Sequence, residues 1–220
     1  MQKAKSGLRK TLVPTFREEN ILQKQGYKFV AGIDEVGRGC LAGPVAAAAV
    51  ILHPGYKTGW LKQIRDSKKL TADKREYLSV EIRKAAVAVG IGFVSAEEID
   101  NHGIVRATRQ AMKKAIGQLS PSADSLLIDY FRLPDIELPQ KGVLDGDSLC
   151  ISIACASIIA KVARDHLMVE LDGTYPGYRF ANHKGYGTKE HRSCLEKLGL
   201  SPIHRHSFGL VGAMGSEEDD

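Results

Sequence analysis

The hydrophobic positions change period along the chain, and each change marks an element. Phe29 to Ile33 is a short apolar run that reads as a strand, and Pro44 to Leu52, rich in Ala and Val, reads as a second. His53-Pro54-Gly55-Tyr56 punctuates it as a turn. From Thr71 to Ala86 the period becomes helical, with Thr71 as cap and Tyr77, Leu78, Ile82, Ala85 and Ala86 on one stripe. Val87 to Val94 is a third strand. Ser95-Ala96-Glu97-Glu98 then has the spacing of a capping box, and the helical region it starts resumes at Ile104 after Gly103. Ile104, Thr108, Ala111, Met112, Ala115 and Leu119 face one way along it. Ser125 to Phe131, bounded by Pro121 and Pro134, is a further short strand, and Ser148 to about Leu171 is a long helix. Thr188 to Leu198, closed by Gly199, is the last helix. Strands first and alternating helices later indicate an α/β fold with a mixed sheet.

The flanks differ from this body. Residues 1–28 show weak periodicity and carry Lys3, Lys5, Arg9, Lys10, Arg17 and Lys24, which suits a loosely held, solvated extension or a short helix. Residues 29–172 form the main body. Residues 173–212 are a smaller part whose Tyr175 to Gly187 stretch is too rich in glycine and aromatics for a core layer. Residues 213–220 are an acidic tail.

Composition is that of an ordinary globular chain: 220 residues, 43% hydrophobic and 26% charged. Net charge is +5, and +9 once Glu217, Glu218, Asp219 and Asp220 are set aside, which favours a polyanionic partner without settling it. Cys40, Cys150, Cys155 and Cys194 have neither zinc-ribbon nor C-x-x-C spacing, and Cys150 and Cys155 read as small core residues. No apolar run is long enough to span a bilayer, so a cytoplasmic, reducing location is expected.

Candidate chemistry gathers at strand ends, where α/β sheets place their ligands. Asp34 and Glu35 follow Ala31-Gly32-Ile33, Asp129 follows Leu126-Leu127-Ile128, and Asp147 directly precedes the long helix. Any one acid alone reads as a cap or a strand end. Together they are costly without compensation, and oxygen donors lacking His or Cys partners fit one or two Mg2+ or Mn2+ ions rather than zinc. Gly37-Arg38-Gly39 suits close backbone approach to a ligand. It is not a dinucleotide fingerprint, since the next glycine is Gly43, and no Walker-type loop is present. Ser67-Lys68-Lys69 and His183-Lys184-Gly185-Tyr186-Gly187 add phosphate donors and an aromatic face.

These residues, with Gly43-Pro44-Val45, Asp66 to Leu70, Ala154 to Asp165, His183 to Thr188 and His204-Arg205-His206-Ser207-Phe208, resemble the bacterial ribonuclease HII family from about Gly32 to Phe208. The resemblance implies a ribonuclease H-like fold with a mixed central sheet, flanking helices and a small helical C-terminal part that binds substrate. It implies endonucleolytic cleavage of RNA in RNA–DNA hybrids and 5′ to ribonucleotides in duplex DNA, leaving 3′-OH and 5′-phosphate, by a monomer. Its metal carboxylates fall on Asp34, Glu35, Asp129 and Asp147. Its substrate contacts fall on Gly37, Arg38, Gly39, Ser67, Lys68, Lys184 and Tyr186, with the first three and Tyr186 reading the ribose 2′-OH. Two departures stand out: Asp129-Tyr130-Phe131 where Asp-Gly-Asn is common, and Asp145-Gly146-Asp147 where Lys-Gly-Asp is common. A hybrid-binding protein without catalysis, or a DNA-cutting nuclease of the same fold, are the competing readings. Asp165 reads as a structural partner of Arg164 or a neighbour.

Overall fold

The computed structural model describes residues 13–53, 55–65 and 67–209. Residues 1–12, Pro54, Asp66 and the acidic tail lie outside the described residues. In chain order come α1 (Arg17–Lys24), β1 (Val30–Val36), β2 (Val45–Leu52), α2 (Ala72–Ala85), β3 (Ala86–Val94), α3 (Ala96–His102) and α4 (Ile104–Gly117). They are followed by β4 (Ser125–Asp129), β5 (Gln140–Val143), α5 (Gly146–Leu149), α6 (Ile151–Thr174), α7 (Phe180–His183) and α8 (Lys189–Leu198). Short 3-10 turns lie at Gly59–Gln63 and Ser67–Lys69.

The sheet is mixed, in the order β3-β2-β1-β4-β5. β2 runs antiparallel to both β1 and β3, whereas β1, β4 and β5 are parallel. Every residue of β2 is buried, because helices cover both faces. On one face Ala31, Ile33, Val45, Ala47 and Ile51 pack with Ala107, Ala111, Met112 and Ala115 of α4. On the other, Ala48, Val50 and Leu52 meet Leu78 and Ile82 of α2 and Ala154, Cys155, Ile158 and Ile159 of α6. The sheet and α6 come together very closely at Gly32, where a Cβ would stand 2.2 Å from the carbonyl carbon of Ser152. A smaller core of Ala42, Met168, Tyr178, Phe180 and Leu195 joins the C-terminal part to the end of α6.

The helix starts follow the expected caps. Thr71 accepts from the Lys74 amide, Thr188 from the His191 amide, and Ser95 with Glu98 forms the full capping box. α6 is capped from a distance instead: the buried Glu19 carboxylate accepts from the Ser152 amide (2.9 Å) and hydroxyl (2.7 Å). Residues 13–28 are therefore docked rather than loosely held, since that carboxylate satisfies a helix end that has no local cap.

Several elements depart from the sequence pattern, and the strand expected over Ser125 to Phe131 ends at Asp129, where Tyr130 turns left-handed. β1 continues to Val36, because β2 offers partners as far as Ala46. The long helix is broken at Cys150, whose extended backbone (φ −110°, ψ 126°) separates α5 from α6. β5, with Lys141 and Gly142 exposed, has no apolar alternation to announce it and is held by its pairing with β4. Asp165 has the structural role expected of it, and its partners are the neighbouring Lys161 (2.7 Å) and Arg75 (3.8 Å). The four cysteines are free, and Cys150 and Cys155 are buried in the core as expected. Among the described residues no helix is long and apolar enough to cross a membrane.

Gly32→Ala is expected to lower the unfolding free energy by about 1–3 kcal/mol, because the added methyl meets helix backbone rather than a movable side chain. Urea unfolding checks this as a lower midpoint at unchanged m.

Candidate active site

Strand alternation sorts the first two acids. Asp34 shares the face of Gly32, toward α6, while Glu35 points the other way, toward Arg38. The parallel register sets Ile33 opposite Ile128, so Asp129 comes next to Asp34 one step further on. Asp147 lies in the first turn of α5, and the Gly146 amide just before it donates to Asp129 Oδ1 at 2.7 Å. The turn into α5 thus ties the third acid to the fourth.

Burial and mutual repulsion define the electrostatics of this group. Asp34 is 5% exposed. Burial pushes its carboxyl well above the usual carboxylate range, and Glu35 and Asp129 push it further, against the opposing Ser157 hydroxyl. Glu35 is raised to about 7 by burial, despite Arg38 at 3.4 Å. Asp129 is also raised by burial, with the Gly146 amide opposing and Asp147 adding to the rise. Asp145 is the weaker neighbour of Asp129 and is exposed, whereas Asp147 is half-buried.

Ser157 is a residue that the sequence pattern did not single out. It projects from α6 between the Asp34 carboxylate and the Ser67 hydroxyl, the two Oγ atoms being 2.9 Å apart. Ser67 is buried and faces inward along this line, while the charge of Lys68 lowers the pKa of Asp129. A serine in a helix lined with alanine carries no spacing signal that would have revealed it.

Two arginines, Arg164 and Arg205, shape the Gly37–Pro44 loop. Both are completely buried. Arg164 donates to the carbonyls of Pro44 (2.8 Å), Ala42 (3.1 Å) and Lys184 (2.8 Å). Arg205 donates to those of Gly37 (2.7 Å), Arg38 (3.0 Å) and Gly43 (2.8 and 3.0 Å). Gly37 has φ +90°, and a Cβ there would stand 2.2 Å from Arg164 Nε, so the loop needs glycine on both counts. Arg38 is free of that constraint and lays its guanidinium 4.8 Å above the Phe131 ring. Gly39 has open space where a Cβ would stand.

Tyr186 is half-exposed, with its ring 5.5 Å from Lys161 Nζ and 5.9 Å from Arg164 Cζ. Burial pushes its hydroxyl up to about 12. Lys184 adopts φ 52°, and its ammonium donates to the Ala181 carbonyl. A chain of neutral imidazoles lies behind this loop. The Ser201 amide donates to His204 Nδ1 (2.8 Å), which leaves His204 Nε2–H to donate to His191 Nε2 (3.0 Å). His191 Nδ1–H then donates to the Tyr186 carbonyl (3.0 Å). Burial pushes both His191 and His204 down to about 4.

The two departures from the family pattern have visible consequences. Tyr130 is 69% exposed and adopts φ 59°, a left-handed conformation that glycine takes without cost. Phe131 is 7% exposed and packs into the core beneath Arg38. Asp145 is likewise left-handed, at φ 53°.

Among the described residues, no three acidic, histidine or cysteine side chains already form a closed metal cluster. The chemistry of the acid group nonetheless fits a hard divalent cation. Glu35 Oε2 is buried without a hydrogen-bond partner, and Asp34 feels the charges of both Glu35 and Asp129. A cation supplies what each of these lacks. The donors are all oxygens, which suits Mg2+ or Mn2+.

A family model described as Ribonuclease HII matches residues 31–211. A ribonuclease HII of Dehalococcoides mccartyi is 56% identical over 203 residues, covering 92% of this chain and 96% of its own length. One of Enterococcus faecalis is 53% identical over 196 residues, covering 89% of this chain and 75% of its own. The ribonuclease H2 structure from Pyrococcus horikoshii OT3 superposes with a TM-score of 0.69 at 22% identity, over 87% of this chain and 99% of that one. That last likeness bears on the fold alone.

Tyr130→Gly is expected to stabilise the protein by about 1 kcal/mol through relief of the left-handed backbone, which thermal unfolding reads as a rise of about 2–4 °C. The histidines predict a second outcome. Folding holds His191 and His204 neutral, so below the ordinary value of 6.5 the unfolded chain binds protons that the folded chain does not. Their contribution to stability is therefore lost as pH falls from 6.5 toward about 4. Urea midpoints between those pH values should fall less in His191→Asn, whose amide still donates to Tyr186 but takes up no proton.

Proposed function

The chain belongs to the ribonuclease HII family, endonucleases that act on RNA–DNA hybrids, and from that premise we propose that it cuts 5′ to ribonucleotides, both in hybrids and embedded singly in duplex DNA. The products are a 3′-OH and a 5′-phosphate, and the biological role is removal of ribonucleotides from DNA. Asp34, Glu35, Asp129 and Asp147 are the catalytic carboxylates and the ligands of one or two Mg2+ or Mn2+ ions. The observation that carries this reading is the meeting of buried and half-buried, mutually repelling carboxylates beside a loop whose carbonyls are held from beneath by Arg164 and Arg205.

When bound, the cations supply charge neutralisation and activate water for attack on phosphorus. The chain's own residues do the positioning. Ser157 fixes the Asp34 carboxylate, the Gly146 amide fixes Asp129, and Arg38 restrains one oxygen of Glu35 while the other stays open. Gly37, Arg38 and Gly39 present main chain to the ribose 2′-OH, the group that distinguishes RNA from DNA. Tyr186 offers its face to the sugar or base at the RNA to DNA junction, and the Ser67–Lys69 turn and Lys184 lie where backbone phosphates pass. Phosphoryl transfer needs positioning and charge neutralisation more than a covalent nucleophile, so no serine or cysteine nucleophile is required. Residues 29–172 are the catalytic body and residues 173–212 the substrate-binding part, in a chain acting as a monomer.

The test is an end-labelled DNA duplex carrying one ribonucleotide, beside an all-DNA control, with Mg2+, Mn2+ or EDTA. Metal-dependent cutting at the 5′ side of the ribonucleotide alone is expected. Cutting of the all-DNA control would point to a DNA nuclease, and no cutting with any metal to a hybrid-binding protein. Asp34→Asn is expected to lower turnover by ~100-fold or more while hybrid affinity stays within about threefold, because affinity rests on the basic surface. Turnover within tenfold of wild type would remove Asp34 from the catalytic set.

A further inference from the structure

β3 runs in the same direction as β1, since each is antiparallel to β2. The chain leaving β3 therefore emerges at the end of the sheet where the carboxylates lie. There the start of α4 and the segment after β4 enclose a cavity of about 720 Å3, lined among others by Arg106, Arg109, Lys113, Pro134 and Asp135. The acid group does not use this cavity.

Its charge is unbalanced. Lys113 pairs with Asp135, and that carboxyl is held below its usual range by Lys113 first and then by Arg109 and Arg106. Among the described residues neither Arg106 nor Arg109 forms an ion pair, so three cations share one carboxylate. The Nε–H of Arg109 is buried without an acceptor, a state that protein structures seldom tolerate unless something supplies the oxygen. The start of α4 adds to the deficit: Gly103 gives no side-chain cap, and the first turn holds no acid. Guanidinium groups beside open helix amides match the oxygens of a phosphate.

We propose that this cavity holds a backbone phosphate of the nucleic-acid duplex, away from the bond that is cut. The inference rests on the substrate class proposed above. The path between the two places is short in the chain: Arg38 beside Glu35 lies on Phe131, and Phe131 leads through Leu133 to Pro134 at the cavity wall. A strand engaged at the carboxylates and continuing past Arg38 meets the cavity next.

The test measures affinity for uncut all-DNA and ribonucleotide-containing duplexes in EDTA across a salt series. Arg106→Ala/Arg109→Ala is expected to weaken both duplexes by about tenfold at low salt and to flatten the plot of log affinity against log salt by about one unit. Cleavage at saturating enzyme with metal should stay within about twofold, and Arg106→Lys/Arg109→Lys should restore most of the slope. Unchanged affinity and slope in the alanine variant would overturn the proposal. A wild-type protein that shows the salt dependence yet never cuts at a ribonucleotide would instead refute the proposed function and leave the phosphate site standing.

Discussion

Arg164 and Arg205 bring two full positive charges into the interior, where carbonyl oxygens alone receive their hydrogen bonds. Burial lowers Arg205 only to about 10, so it stays charged at neutral pH. Removing one guanidinium would strand several buried carbonyls at once, and each is expensive to leave unpaired. α6, the Gly37–Pro44 loop, the Lys184–Tyr186 loop and the C-terminal turn are fixed relative to one another through these bonds. A loop made of Gly-Arg-Gly has little conformational preference of its own, and its shape is imposed from beneath.

The carboxylates show the opposite economy. Where every guanidinium nitrogen of the two arginines finds a carbonyl, Asp34, Glu35 and Asp129 are desolvated and repel one another, and one oxygen of Glu35 has no hydrogen-bond partner. A sheet with helices on both faces can bear this local penalty because its inner strands are paired on both sides and β2 is buried along its whole length. The strain is placed where a cation would relieve it, as expected of sites organised for charge rather than for stability.

Much of this was legible in the residues. The caps at Thr71 and Ser95 announce themselves through spacing, and the apolar runs before Asp34 and Asp129 mark the strands that deliver them. What stayed hidden depends on partners distant in sequence. Glu19 reads as one surface charge among several until Ser152, 133 residues later, is placed above it. β5 owes its existence to β4, and an arginine in an apolar helix gives no hint of which carbonyls it will meet. Tyr130 departs visibly from the family pattern, but only its backbone shows that it occupies a left-handed position suited to glycine.

The buried guanidinium groups have a consequence beyond architecture. Mobile ions cannot approach a charge enclosed by protein, so its field is attenuated far less by ionic strength than that of a solvent-exposed lysine. The carbonyls of the Gly37–Gly39 loop thus rest on guanidinium charge that added salt reaches less readily than it reaches an exposed lysine. Surface cations elsewhere on this basic protein lose their reach as salt rises. The hold of Arg164 and Arg205 on their carbonyls, and with it the shape of the loop, therefore changes least with ionic strength.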